Sequence, residues 1–181
     1  MAKNGVVSSF GAANGGAVCA GWLRDQLHRN VSIPKASIYF DTLTLLDKPE
    51  TKQVRKGETS GAIAPLNPFW QLYYKEAMGK ADWMIFIITK EWLASPYCQY
   101  EFQWFLAHLK AEIKLKGMAI FLDDLHLQQH ITNKFSEIKV RIPAKRNYLL
   151  TAEQRTKITS GYEKQWVLDD ASLTAVVKKM V

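Results

Sequence analysis

Short apolar runs alternate along this chain with stretches whose apolar residues recur every three or four positions, a pattern of strands alternating with amphipathic helices. Gly5-Val6-Val7-Ser8-Ser9-Phe10 is apolar and β-branched and gives way to Gly11-Ala12-Ala13-Asn14-Gly15-Gly16, which predicts a buried strand followed by a glycine loop. From Ala17 onward Val18, Trp22, Leu23 and Leu27 keep helical spacing until His28-Arg29-Asn30, predicting a first helix. Ser37 to Phe40 reads as a second strand closed by Asp41. Thr42 to Ala64, with Pro49, Gly57 and Gly61 and no period, reads as a long loop, and loops of that length in a compact domain usually have a function.

A second helix is predicted from Pro65 to Gly79, with prolines near its start and glycine at its end. Trp83 to Ile88 is apolar at every position, as strands are when helices cover both faces of a parallel sheet, and is expected to be the central strand. Ser95-Pro96 pairs a capping serine with a proline at the first helical position, opening a helix expected to reach about Lys116. Met118 to Leu122 is a fourth strand ended by Asp123-Asp124, and Tyr148-Leu149-Leu150 a short further one. A final helix runs from about Asp170 to Met180, acidic at its start and basic at its end. The expected class is an α/β fold with an open, mainly parallel sheet and helices on both faces. Ligands of such sheets meet the carboxyl ends of the strands, so Ser9-Phe10-Gly11, Asp41, Thr89 and Asp123-Asp124 are where chemistry is to be sought.

The length of 181 residues suits one domain spanning residues 1–181. The run Trp83 to Ile88 is far short of the roughly 18 residues that a membrane span needs. The start, Met1-Ala2-Lys3-Asn4-Gly5, has no apolar secretory segment, which leads to a cytoplasmic expectation. Two cysteines, Cys19 and Cys98, are too few for a disulfide scaffold and are expected to be small buried residues. The net charge is +7, with most of the excess in the second half at residues such as Lys134, Lys139, Arg141, Lys145, Arg146, Arg155 and Lys157. No nucleic-acid-binding motif accompanies them, which argues against nucleic acid and leaves a solvated face or an anion-attracting rim. His28, His108, His126 and His130 lack metal-ligand spacing, and there is no Gly-x-Ser-x-Gly elbow, so neither a metal site nor a hydrolase triad is expected. The glycine loop follows a strand and opens a helix, where backbone N–H groups can hold a phosphate, but it lacks the P-loop and dinucleotide spacings. A tight turn that simply requires glycine is the other reading.

The most specific signal is Ser95-Pro96-Tyr97-Cys98-Gln99-Tyr100-Glu101, which sets an aromatic ring and a carboxylate four residues apart on one helical face. Together with Ala81-Asp82 and the strand up to Thr89, this resembles the region of TIR domains in which a strand, a Ser or Thr and Trp-Cys-x-x-Glu follow one another. Val6-Val7-Ser8-Ser9-Phe10 is similar to the first TIR strand, and Ile38-Tyr39-Phe40-Asp41 to the second with its terminal acid. The resemblance covers about residues 5–125. Tyr97 stands where the family usually has tryptophan, and the first loop is small and glycine-rich where others carry arginine, histidine or an acid.

The resemblance implies a flavodoxin-like fold and cleavage of NAD+, as substrate rather than cofactor, at the nicotinamide–ribose bond. It assigns the catalytic role to Glu101 and substrate binding to Ser9, Phe10, Gly11, Asp41 and Tyr97, with the BB loop over about Thr42 to Ala64. It further implies a stand-alone enzyme of the Thoeris type, acting in bacterial anti-phage immunity, with TIR–TIR self-association and a separate effector that senses the product. The residues alone leave other readings open. Glu101 is a solvated charge in most helices, Asp41 can serve only to brace its loop, and Tyr97, Tyr100 and Trp104 have the spacing of core residues. A non-catalytic TIR scaffold and a deoxyribosyltransferase-like enzyme are the rival functions.

Overall fold

Five parallel strands form the main sheet in the order β2-β1-β3-β4-β5, where β1 is Gly5–Phe10, β2 Ile38–Tyr39, β3 Ala81–Ile88, β4 Lys116–Phe121 and β5 Val140–Pro143. This computed structural model describes residues 5–39, 69–111, 114–157 and 165–181. Phe40, Asp41, the loop Thr42 to Ala64 and the first part of the helix expected from Pro65 lie outside them. The chain steps outward from β1 to β2 and then returns to the other side of β1 with β3, so the order reverses between β1 and β3. Open α/β sheets receive ligands at the carboxyl ends of the strands that flank such a reversal. Their register pairs Ser9 with Phe86 and Phe10 with Ile87, so both strands end at the same level.

Alternation along the strands divides the core in two. Val6, Ile85, Ile87, Met118 and Ile120 face α1 (Gly16–Val31) and the C-terminal helix Asp170–Met180. Val7, Met84, Phe86, Ile88 and Phe121 face the opposite layer, formed by α2 (Trp70–Lys80), α3 (Lys90–Ala94) and α4 (Pro96–Lys110). Every residue from Met84 to Ile88 is buried, as expected of a strand covered on both sides. Two short helices follow, α5 (Gln129–Lys134) and α6 (Ala152–Lys157), and the Asp170–Met180 helix is α7. The arrangement is α/β and flavodoxin-like, consistent with a TIR fold. No helix among the described residues is long and apolar enough to cross a membrane.

Several elements depart from the sequence reading. The helix opened by Pro96 ends at Lys110 rather than near Lys116, which already belongs to β4. Leu115, whose spacing extended the helical pattern, is buried in the core ahead of β4. The strand expected at Tyr148 to Leu150 is Arg146–Tyr148 (β6), which pairs antiparallel with Trp166–Leu168 (β7) in a separate ribbon. Leu149, which suggested a buried strand, is exposed. Edge strand β5 was hidden because Lys139, Arg141 and Pro143 interrupt Val140 and Ile142, and only an edge accepts a proline readily. The last helix keeps its expected start and end, with Asp169 Oδ1 accepting from the Ser172 backbone N–H at 2.9 Å and Lys178 and Lys179 in the final turn.

Where α1 begins, the chain folds back so tightly that a Cβ on Gly16 would lie 1.8 Å from the Gly11 carbonyl oxygen. Gly16→Ala therefore forces the loop off the end of β1, and a loss of about 2–4 kcal/mol is expected in urea unfolding, at or above the usual range for overpacking. A variant as stable as the wild type contradicts this account of the turn.

Candidate functional site

Ser9 is the penultimate residue of β1, and its side chain points, like that of Val7, into the layer that holds α3 and α4. Its hydroxyl donates to Glu101 Oε2 at 2.5 Å. Glu101 lies in the second turn of α4 and is only 4% exposed, one of few buried charged or polar residues among those described. The start of α4 is fixed by Ser95, whose Oγ accepts from the Cys98 backbone N–H at 3.3 Å, and by Pro96 in the first turn. Cys98 is three residues before Glu101 and so shares its face; its Sγ donates to the Phe10 carbonyl at 3.4 Å. Two successive residues of β1 are thus bonded to two residues on one face of α4.

Trp92 completes the group. Thr89, directly after β3, caps α3 by accepting from the Trp92 backbone N–H at 3.1 Å, and the indole is fully buried. Its Nε1–H donates to Ser9 Oγ at 2.9 Å. The first loop lies against the same helix. A Cβ on Gly11 would come within 2.7 Å of the Trp92 backbone nitrogen, so the close approach of loop to α3 requires glycine there. This gives the tight-turn reading of the loop a definite cause.

A second polar network braces the loop from the other side. Asn14, in the left-handed region at φ 52°, donates from Nδ2 to Glu91 Oε1 at 2.7 Å, and its carbonyl accepts from Trp166 Nε1 at 2.8 Å. Arg146 lies 4.0 Å over the Trp166 ring and donates from Nε and Nη2 to the two Asp123 oxygens at 2.9 and 2.6 Å. Burial opposes the charge of Arg146, but the hydrogen bonds and charge of Asp123 outweigh it and hold the guanidinium above its ordinary value. Burial likewise pushes the Glu91 carboxyl up, yet the Asn14 hydrogen bond, the helix-start contacts and Arg146 together leave it below its ordinary value. Asp123, singled out at the end of β4, therefore serves as the anchor of an arginine.

Of the residues selected from sequence, Ser9, Phe10, Gly11 and Glu101 come together, while Asp41 lies outside the described residues. Tyr97 is 37% exposed and meets Trp70 edge-on at 5.2 Å, so it sits at the rim rather than in the core. Tyr100 is exposed, and Trp104 is half-buried against Trp70 and Tyr74 with Lys75 Nζ 4.6 Å from its ring. Cys19 and Cys98 are buried, and burial pushes the Cys19 thiol up to about 12. Among the described residues no group of three or more His, Cys, Asp or Glu could hold a metal ion. Sequence reasoning missed Trp92, Asn14 and Arg146. The spacing Thr89-x-x-Trp92 just after the central strand was a usable sign of the first, since a capping threonine fixes the residue three positions on.

No family model and no solved structure matches the chain. Over 136 residues it is 33% identical to the 3' cyclic ADP-D-ribose synthase HopAM1 of Pseudomonas syringae pv. tomato (strain ATCC BAA-871 / DC3000), which takes in 72% of this chain. The similarity supports a TIR-like family. The chain spans about half the length of that relative, the match covering 49% of it. The α/β sheet order of this chain is consistent with a TIR fold.

The brace around Glu91 has a pH signature. A carboxyl held below its ordinary value of 4.5 stabilises the folded state above that value, and the contribution fades as pH falls through the lowered folded-state value. Acid titration of stability in the wild type is expected to be steeper between about pH 5 and 3 than in Glu91→Gln. Superimposable curves contradict a coupled Asn14–Glu91 bond.

Proposed function

We propose that the chain cleaves NAD+ at the bond between nicotinamide and ribose, with Glu101 as the catalytic carboxylate. The observation that carries this reading is a buried carboxylate held by a hydroxyl at the carboxyl end of β1, beside the point where the strand order reverses. The printed activity of the similar protein, synthesis of 3' cyclic ADP-D-ribose, supports it. In the reaction the C1′–N bond breaks and the electron pair stays with the ring nitrogen. The pyridinium therefore leaves as neutral nicotinamide and needs no general acid. Positive charge grows on the ribose, and a fixed negative charge in a water-poor site lowers the energy of that state. Capture by water gives ADP-ribose and a proton; capture by a group of the same molecule gives a cyclic product, and exclusion of water favours it.

In this reading Tyr97 offers its ring at the rim to an aromatic base or to nicotinamide. Phe10 and Gly11 lie at the end of β1, and the resemblance assigns Asp41 a part in substrate binding. Self-association, a signal read by a separate effector and a role in anti-phage immunity of the Thoeris kind belong to the same proposal and rest on the resemblance.

Incubation of the purified protein with NAD+, followed by chromatography of nicotinamide, tests the reading. Glu101→Gln removes the charge at nearly constant shape and is expected to lower the rate about 100-fold or more. Equal rates in variant and wild type exclude Glu101 as the catalytic group. Mass analysis distinguishes the two products, which differ by one water.

A further inference from the structure

We propose that Trp92 and Ser9 are positioning residues: a directed chain of hydrogen bonds from indole to hydroxyl to carboxylate holds Glu101 as an oriented acceptor. The consequence for turnover rests on the function proposed above; the chain itself does not. An indole N–H can only donate, and a serine hydroxyl has one proton. With Trp92 Nε1 occupying a lone pair of Ser9 Oγ at 2.9 Å, the Ser9 proton is available to Glu101 Oε2 at 2.5 Å. An ionised carboxylate is the matching acceptor.

The donor at the head of this chain cannot turn without disrupting the core. Trp92 is packed among the rings of Phe86, Phe102 and Phe135, with centroids 6.1, 6.0 and 5.3 Å away. Its backbone is capped by Thr89 and pressed by Gly11. Ser9 sits on a strand paired on both sides, and Glu101 on a helix tied to that strand again through Cys98 and Phe10. Each member is therefore mounted on a rigid element, the condition for holding a reactive group in one geometry. Ser9 thereby acts through Glu101, a different role from direct contact with substrate.

The test uses the full chain carrying ¹³C-labelled glutamate, with infrared difference spectra of wild type minus Glu101→Gln to isolate the Glu101 band. An ionised-carboxylate band that moves in Ser9→Ala and returns in Ser9→Thr supports the chain. Trp92→Phe is expected to move it in the same direction, and because that variant opens a space in the core, its folding is checked by thermal unfolding; the Ser9 pair decides if it fails to fold. With NAD+, Ser9→Ala is expected to lower kcat roughly 10–100-fold with little change in KM, and Ser9→Thr to recover most of it. A protonated-acid band in the wild type at neutral pH, a band unmoved in Ser9→Ala, or a raised KM at unchanged kcat each overturns the proposal. If the wild type releases no nicotinamide, the functional reading fails, and the infrared arm alone decides the chain.

Discussion

A carboxylate with 4% of its surface exposed is costly to bury unless donors meet it, and the cost of an unmet one is comparable to the whole stability of a domain. That constraint organises the carboxyl end of this sheet. The hydroxyl of Ser9 reaches Glu101 because β1 ends level with β3 and because α4 starts close enough for Cys98 to reach the Phe10 carbonyl. The start of α4 is in turn set by the short helix α3, which Thr89 begins at the end of β3. Adjacent parallel strands, a capped helix of five residues and a proline-started helix thus converge on one oxygen atom. Their convergence at the reversal in strand order puts the charge where open α/β sheets receive ligands.

The second network has a different character and meets the first at α3. Arg146 is paired bidentately with Asp123 and stacked on Trp166, an arrangement in which geometry adds to charge. Through Trp166 and Asn14 it fixes the first loop, and through Asn14 it reaches Glu91, next in sequence to Trp92. The β6–β7 ribbon thereby secures the loop that covers the Trp92 backbone. Arg146 and Asp123 pair with each other and the Asn14 amide meets Glu91, so the loop is held by polar contacts on both sides.

Much of this was legible in the sequence where one local signal had one physical cause. The stretch Met84 to Ile88 is buried on both faces because the strand is central, and Ser95-Pro96 starts a helix because the serine accepts from the Cys98 N–H and the proline has no N–H left to satisfy. The spacing of Tyr97 and Glu101 predicts one shared helical face, and the structure buries Glu101 while leaving Tyr97 at the rim against Trp70. What escaped was set by tertiary contacts. Leu115 carried helical spacing but is drawn into the core before β4, and Leu149 looked like a strand residue though the ribbon ends one position earlier. Asn14, Trp92 and Arg146 are separated by scores of residues, and only the fold makes neighbours of their partners. Asp41 and the long loop fall outside the described residues.

The excess of positive charge also takes on a more limited meaning. Among the described residues, Arg146 and Lys134 lie near the site, and each is engaged. Arg146 is neutralised by Asp123. Lys134 donates to Gln99 and lies 5.6 Å from the centre of the Trp92 ring, where burial holds its ammonium below the ordinary lysine value. Neither is arranged as a dedicated clamp for a phosphate; each already has a protein partner. For the proposed anionic dinucleotide substrate, the net +7 is a field spread over the surface, which hastens encounter and weakens with salt. In the proposed reaction, orientation at the reacting bond comes from short-range contacts, and the one at the end of β1 is the hydrogen bond that holds Glu101. In the proposed reaction a field that gathers substrate and a single held carboxylate that acts on it are separable requirements, assigned to different residues of this sequence.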